Sequence, residues 1–353
     1  MPETKKVNLA LQGGGAHGAV SWGVADKILE DPRLEVASIS GSSAGAVNAA
    51  ALAYGLHKGS ESGARDALEN LWREVSNAGE IYSPVRGNPF AHFFGGSDIV
   101  NALSYQMFDA VTRTFSPYQL NPFDFNPLKE ILNRCIDFDS LRKCQTTQLF
   151  VAATNVRSGK VHVFETKDIS VDAVCASTCL PFLFKAVEID GEHYWDGGYM
   201  GNPVLFPFFY DVPSSDIIIV HVNPMHRDEV PTTAPEIMNR VNEISFNSSL
   251  LRELRAISFV HKLLDDGWLK DEYHDRLRDV RIHSVRSDEA LVDYDISSKF
   301  RTDWAFLTEL RDKGRAIASA WIDNNYDKIG KESSVDLRAM FDSGAVNGVK
   351  PAP

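Results

Sequence analysis

An α/β fold, with a mostly parallel central sheet and helices on its faces, is predicted by two observations. The first 60 residues alternate strand, turn, helix, strand, turn, helix, and short unbroken apolar runs recur where strands are expected. Both are marks of parallel strands buried on two sides. Val7 to Leu11 is the first such run and ends in Gly13-Gly14-Gly15. Residues 18 to 30 carry Val20, Val24, Ile28 and Leu29 at helical spacing, and Asp31-Pro32 stops that helix. Val36 to Ser40 reads as the second strand, and the Ala-rich stretch from Ala44 to Leu56 as the second helix.

From about 78 to 127 the pattern changes to prolines, asparagines and aromatics: Tyr82, Phe90, Phe93, Phe94, Tyr105, Phe108, Phe115, Tyr118, Phe123 and Phe125. This segment reads as an insertion. Two readings of it stay open, a lid or lipid-contacting surface and a second small core packed by these rings. Strands return at Leu149–Thr154 and Lys160–Phe164, around the turn Arg157-Ser158-Gly159. Val187–Ile189 and His193–Trp195 flank Asp190-Gly191, a hairpin signal. Asp216 to Val222, with its core IIIV, is a candidate central strand. Two amphipathic helices come later, one through Ile237, Val241, Ile244, Leu251 and Leu254, the other through Trp304, Leu307, Leu310 and Ile317. The closing SGAVNGVKPAP is expected to be a frayed tail.

Composition excludes several classes of function. The chain has 353 residues and a net charge of −12, with 44% hydrophobic residues, which fits an ordinary globular protein and not a disordered one. The acidic balance speaks against a nucleic-acid partner and against electrostatic attachment to an anionic bilayer. No apolar run approaches the roughly 20 residues of a membrane span, and the amino terminus lacks the form of a signal peptide. Cys135, Cys144, Cys175 and Cys179 do not form a disulfide framework in a chain of this length. A cytoplasmic protein with free thiols is expected.

Residues 13 to 18, GGGAHG, satisfy the dinucleotide-binding fingerprint between a strand and a helix. That reading also requires an acid at the end of the second strand to hold the ribose. The strand ends instead in Ser40 and Gly41, and Glu35 lies at its wrong end. At that point stands Gly41-Ser42-Ser43-Ala44-Gly45, a G-x-S-x-G turn from strand to helix, the context of a nucleophile elbow. Two neighbouring turns at one sheet edge can supply a nucleophile and an oxyanion site together.

A serine nucleophile needs a base. None of the later histidines sits in a distinctive turn; His221 and His226, beyond the IIIV strand, are the best of a weak set. An elbow this early in the chain also disfavours the α/β-hydrolase order of strands. Asp196 does stand out, because Trp195-Asp196-Gly197-Gly198 ends a hairpin strand, with Ala-Ser-Thr-Cys-Leu-Pro-Phe-Leu-Phe before it and Gly201-Asn202-Pro203 after it.

In these blocks, GGGAHG at 13 to 18, GSSAG at 41 to 45 and DGG at 196 to 198, the chain resembles the patatin-like phospholipase family over roughly residues 5 to 325. The resemblance implies a three-layer α/β/α domain that hydrolyses acyl esters of lipids with a Ser-Asp dyad and no histidine. Carried over by motif position, Ser43 is the nucleophile and Asp196 its base. The backbone of Gly13, Gly14, Gly15 and Ala16 forms the oxyanion hole, and Gly18, Gly41, Gly45, Gly197 and Gly198 complete the motifs. The family's loop commonly has Arg where this chain has His17. Residues 326 to 353 are expected to be a partly disordered extension.

The expected partner is a lipid or fatty-acyl ester, with peripheral membrane contact and no nucleic acid. No cofactor is expected. The spacing of Cys175 and Cys179 suits a metal, but further ligands are not evident, and no acidic loop of calcium-binding form is present. An acyltransferase using the same acyl-enzyme, and a non-catalytic lipid-binding scaffold, stay open as alternatives.

Overall fold

The computed structural model describes residues 4–82, 111–112, 114–210, 212–268, 277–294 and 296–341. One eight-stranded sheet organises them. Strand β1 (Lys5–Leu11) lies at its middle, parallel to β2 (Leu34–Gly41) on one side and to β7 (Asp216–His221) on the other. Beyond β7 runs β8 (Arg281–Arg286), and beyond β2 runs β3 (Gln148–Asn155), both parallel to their neighbours. β3 also takes two antiparallel partners, β4 (Val161–Glu165) and β6 (Glu192–Asp196), and β6 pairs with β5 (Val187–Ile189) at the edge. The Asp190-Gly191 turn that joins β5 to β6 has positive φ at both residues, 52° and 79°, as the two-residue hairpin requires.

Alternation along the central strands divides the interior in two. Val7, Leu9 and Leu11 of β1, with Ile218 and Val220 of β7, face a core built with helices α1 (Gly18–Glu30), α2 (Ala44–Tyr82) and α6 (Trp304–Asn325). Ala10, Ile217 and Ile219 face the opposite core, built with α5 (Ala234–Asp265) and the short α7 (Leu337–Phe341). This is the three-layer α/β/α arrangement, and it explains why the IIIV run is apolar at every position: both faces of β7 are covered. Two smaller helices, α3 (Pro127–Cys135) and α4 (Val171–Ser177), pack on the α2 side of β3.

Several elements differ from expectation. The second helix extends well past Leu56, broken at Gly59 and Ser60, where Ser60 takes φ 62°. Strand β8 is not apparent from the sequence, because its charged ends and central polar residues, RIHSVR, mask a strand that is buried by α6 and α7. The buried stripe of α5 is Glu243, Asn247, Leu250, Leu254 and Ile257, whereas Ile237, Val241 and Ile244 face outward. Of the aromatic insertion, Phe90, Phe93, Phe94, Tyr105, Phe108 and the side chain of Tyr82 lie outside the described residues. Phe115, Tyr118, Phe123 and Phe125 are all exposed, so these four do not pack a second core. Residues 326–341 close over the sheet, with Leu337 buried and Ser334 N–H donating to the Ile282 carbonyl. The expected frayed tail lies outside the described residues.

The amino end of β7 carries a buried ionic anchor. Asp216 accepts hydrogen bonds from Arg281 (2.9 and 3.0 Å), from His283 Nε2 (3.0 Å) and from the Gly330 amide (2.8 Å), tying β7, β8 and the C-terminal segment together. Burial alone pushes this carboxyl up, but the bonds from His283, Arg281 and Gly330 outweigh it and hold the group well below the usual carboxylate range. Its contribution to stability is therefore present above the ordinary aspartate pKa and lost as pH falls toward the depressed value. Asp216→Ala removes the acceptor from Arg281 and His283 together and is expected to cost about 3–5 kcal/mol, read from urea unfolding at neutral pH. A loss below about 1 kcal/mol, the level of an exposed pair, would contradict this.

Candidate active site

Register places the two halves of the site on either side of β3. Gly41, the last residue of β2, pairs with Val151, and Ala153, two residues on, pairs with Asp196. The chain leaving β2 and the end of β6 therefore meet at one sheet edge although they are 153 positions apart. Ser43 Oγ donates to Asp196 Oδ2 at 2.7 Å.

The GSSAG turn makes this possible. A Cβ on Gly41 would overlap the Gly45 carbonyl, and one on Gly45 would overlap the Leu11 carbonyl of β1, so only glycine lets strand, turn and helix come this close. Ser43 itself sits at φ 55°, the strained conformation of a nucleophile elbow. It is held there by its own N–H, which donates to Ser177 Oγ at 3.0 Å, while Ser42 Oγ donates to the Gly201 carbonyl. Ser177 belongs to the Ala-Ser-Thr-Cys string before the hairpin, whose sequence signal did not by itself reveal this role.

Asp196 is fully buried. Its Oδ1 accepts the Gly198 amide at 2.7 Å, its N–H donates to the Cys179 carbonyl, and its carbonyl accepts Thr154 Oγ1 at 2.8 Å. Burial pushes its pKa up to about 7, with the Ser43 and Gly198 hydrogen bonds pulling the other way. No cation among the described residues offsets the burial, so the group is a stronger base than an ordinary aspartate and titrates near neutrality. Phe246 of α5 packs against Gly198 and Tyr199, next to Asp196 in the chain.

Next to the Ser43–Asp196 pair lies the glycine loop. Its four motif residues divide by what their amides do. The Gly13 N–H donates to Asn202 Oδ1 at 2.7 Å and is already engaged. The amides of Gly14, Gly15 and Ala16 have no acceptor among the described residues, nor does that of Ala44 at the start of α2. Beneath the loop lies a polar network that no motif announced. Gln12 Oε1 accepts the amides of Val222 and Asn223, Gln12 Nε2 donates to Asn247, and Asn223 Nδ2 donates to the Gly13 carbonyl at 2.7 Å. His17 is buried, bonded through Nε2 to Ser298 Oγ at 2.7 Å. Burial, reinforced by Lys299, lowers its pKa to about 3, so it is neutral at working pH. Gly18 packs on Ala44, and Gly197 on the Ala152 backbone.

The remaining candidates lie elsewhere. His226 is exposed beside Asp228, and His221 is buried against Ser284, so neither faces the serine. Cys175 and Cys179 are buried thiols whose pKa values are pushed up to about 12, chiefly by burial, and no metal-binding cluster occurs among the described residues.

The raised pKa of Asp196 has a sign that can be tested. A carboxyl whose folded pKa lies above its unfolded value gives its full stability below the unfolded value and loses it as pH rises through about 7. Wild type therefore carries a burden at alkaline pH that Asp196→Asn lacks. The stability gap in favour of Asp196→Asn should widen by about 4 kcal/mol between acidic and mildly alkaline pH. Urea unfolding of both proteins across that range checks this; a gap independent of pH would show that Asp196 titrates normally.

A model of the patatin-like phospholipase family matches residues 9–209, more than half of the chain and all three motif blocks. Among solved structures, VipD from Legionella pneumophila is similar at 14% identity and TM-score 0.43, over 92% of this chain and 67% of that one. The full-length ExoU complex with SpcU, from the type III secretion system of Pseudomonas aeruginosa, is similar at 15% identity and TM-score 0.30; the match covers 91% of this chain and spans 53% of the other. No curated protein matches the chain. With GGGAHG, GSSAG and DGG all inside the matched span, the chain belongs to the patatin-like phospholipase family.

Proposed function

We propose that the protein is a lipid acyl hydrolase that cleaves carboxylic esters through a Ser43–Asp196 dyad and an acyl-enzyme. The observation that carries this reading is the 2.7 Å hydrogen bond from a strained serine to a buried carboxylate, opposite the amides of the glycine loop. In the acylation step, Asp196 takes the Ser43 proton as Oγ bonds to the ester carbonyl carbon. The negative charge passes to the carbonyl oxygen, which the amides of Gly14, Gly15 and Ala16, helped by that of Ala44, stabilise. Collapse breaks the bond to the alcohol, which leaves with the proton from Asp196. Water then gives a proton to Asp196, attacks the acyl-serine and releases the fatty acid, and the proton returns to Ser43. A base near pH 7 suits both halves of this cycle.

The surface beside the site suits a lipid substrate. Tyr199 and Met200, directly after the DGG block, are exposed, and Ile237, Met238, Val241 and Ile244 give α5, the helix whose Phe246 packs on Tyr199, an exposed apolar face of its own. With a net charge of −12, contact with lipid is expected to rest on this face.

Ser43→Ala and Asp196→Asn should each lower hydrolysis of p-nitrophenyl butyrate by about 10³-fold or more and abolish labelling by a fluorophosphonate probe, while the fold is kept. Full activity in either variant would remove the dyad. Placing charge on the apolar face, Val241→Glu with Ile244→Glu, should reduce hydrolysis of lipid in phosphatidylcholine vesicles and leave the soluble ester unaffected. Equal rates on vesicles would show that this face is not the contact.

A further inference from the structure

A cation lies behind the glycine loop, and it belongs to a distant part of the chain. Lys299, in the turn at 296–300, donates through Nζ to Asn223 Oδ1 at 3.0 Å. Asn223 passes the contact on, since its Nδ2 donates to the Gly13 carbonyl at 2.7 Å. That carbonyl and the Gly14 N–H belong to the same peptide unit. The Lys299 backbone also closes on the loop: a Cβ on Gly15, where φ is +60°, would sit 2.5 Å from the Lys299 carbonyl oxygen. Next in the turn, Ser298 holds His17. The loop carries no charge of its own, because His17 is neutral.

We infer that Lys299 is a positioning residue for the oxyanion loop: through the Asn223 carboxamide it polarises the Gly13–Gly14 peptide and makes the Gly14 amide a stronger donor toward the developing oxyanion. This rests on the hydrolase reading and adds a residue outside the three motif blocks. The physical basis is a head-to-tail chain of dipoles, ammonium to amide to peptide, each strengthening the next in a site of low dielectric. The chain is oriented before substrate arrives, so it acts on charge that appears only in the transition state. It therefore belongs in kcat and not in KM.

The charged neighbours of the ammonium are few among the described residues. From α5 comes Glu243, which pairs with Arg227 and Arg240 and not with Lys299; from the loop comes neutral His17; and in its own segment Arg301 pairs with Asp303. Burial, with Arg227 adding to it and Glu243 opposing it, lowers the Lys299 pKa to about 8. The protonated form is the active one in this scheme, so activity falls as pH rises through about 8, just as it rises through about 7 when Asp196 loses its proton.

Steady-state hydrolysis of p-nitrophenyl butyrate by the full chain across both ionisations tests this, with Tm as a check on folding. Lys299→Met should lower kcat about tenfold with KM unchanged. Lys299→Arg should keep most of kcat and remove the alkaline limb, because a guanidinium stays charged. The pair Lys299→Met with Asn223→Leu should be no worse than the weaker single variant. Wild-type kcat in Lys299→Met, an alkaline limb that survives in Lys299→Arg, additive losses in the pair, or a loss confined to Tm would each overturn the inference. Wild-type protein that fails to label with the fluorophosphonate would defeat the dyad and this inference together. A labelled wild type with an unaffected Lys299→Met defeats this one alone.

Discussion

Everything at the carboxyl edge of the sheet depends on one hydrogen bond, from Ser43 to a carboxylate with no cation beside it among the described residues. Burying Asp196 without a counter-charge is unfavourable, and the fold offsets that only in part, with one hydroxyl and one backbone amide. The shortfall appears as basicity. A carboxylate fully solvated, or paired with Arg, would be a poorer proton acceptor than this one, whose pKa is raised to about 7. The surroundings are arranged to keep the position dry and fixed: β3 and Thr154 on one side, the Cys179 carbonyl at its amide, and Phe246 across the glycines.

The same sheet carries a second buried aspartate that shows what the alternative looks like. Asp216 is nearly as inaccessible, yet its carboxyl is held far below the usual range because His283, Arg281 and the Gly330 amide surround it. One residue type thus does two jobs according to its partners. Where cations are supplied, the carboxylate fastens β7, β8 and the C-terminal segment. Where they are withheld, its basicity rises, as the proposed role of Asp196 requires, and Ser43 is held at positive φ beside it. Stability is concentrated at one end of the sheet and given up at the other.

The candidate site is legible in the sequence to the extent that backbone geometry demands particular residues. Gly41 and Gly45 leave a mark because strand, turn and helix cannot approach otherwise, and GGGAHG and DGG leave marks for related reasons. The fold was legible where both faces of a strand are covered, as in the IIIV run of β7. Side chains that act by tertiary contact left no such mark. Gln12, Asn223, Asn247, Ser177 and Lys299 are ordinary polar residues in sequence, and only the folded chain brings them to the site. Strand β8 escaped because RIHSVR directs its charges at Asp216 and Asp288, so its polarity looked like exposure. On α5 the apolar stripe points inward only in part: Leu254 is buried, but Ile237, Val241 and Ile244 face out, and the inward positions of that half are Glu243, which pairs with Arg227 and Arg240, and Asn247, which bonds Gln12 beneath the glycine loop.

That inversion of α5 connects the interior of the site to its surface. A helix that turns polar residues inward to hold a loop must place its apolar ones somewhere else, and Val241 and Ile244, 54% and 55% exposed, are where they go. Apolar residues gathered on one outward helix face mark a contact surface more than singly scattered ones do. The first half of α5 therefore answers two demands with one sequence. Its inner side supplies Asn247 to Gln12 beneath the glycines, and its outer side carries the exposed apolar residues on which the proposed lipid contact rests. Because the two sides share a backbone, the outward positions of α5 and the residue that supports the glycine loop are fixed relative to one another.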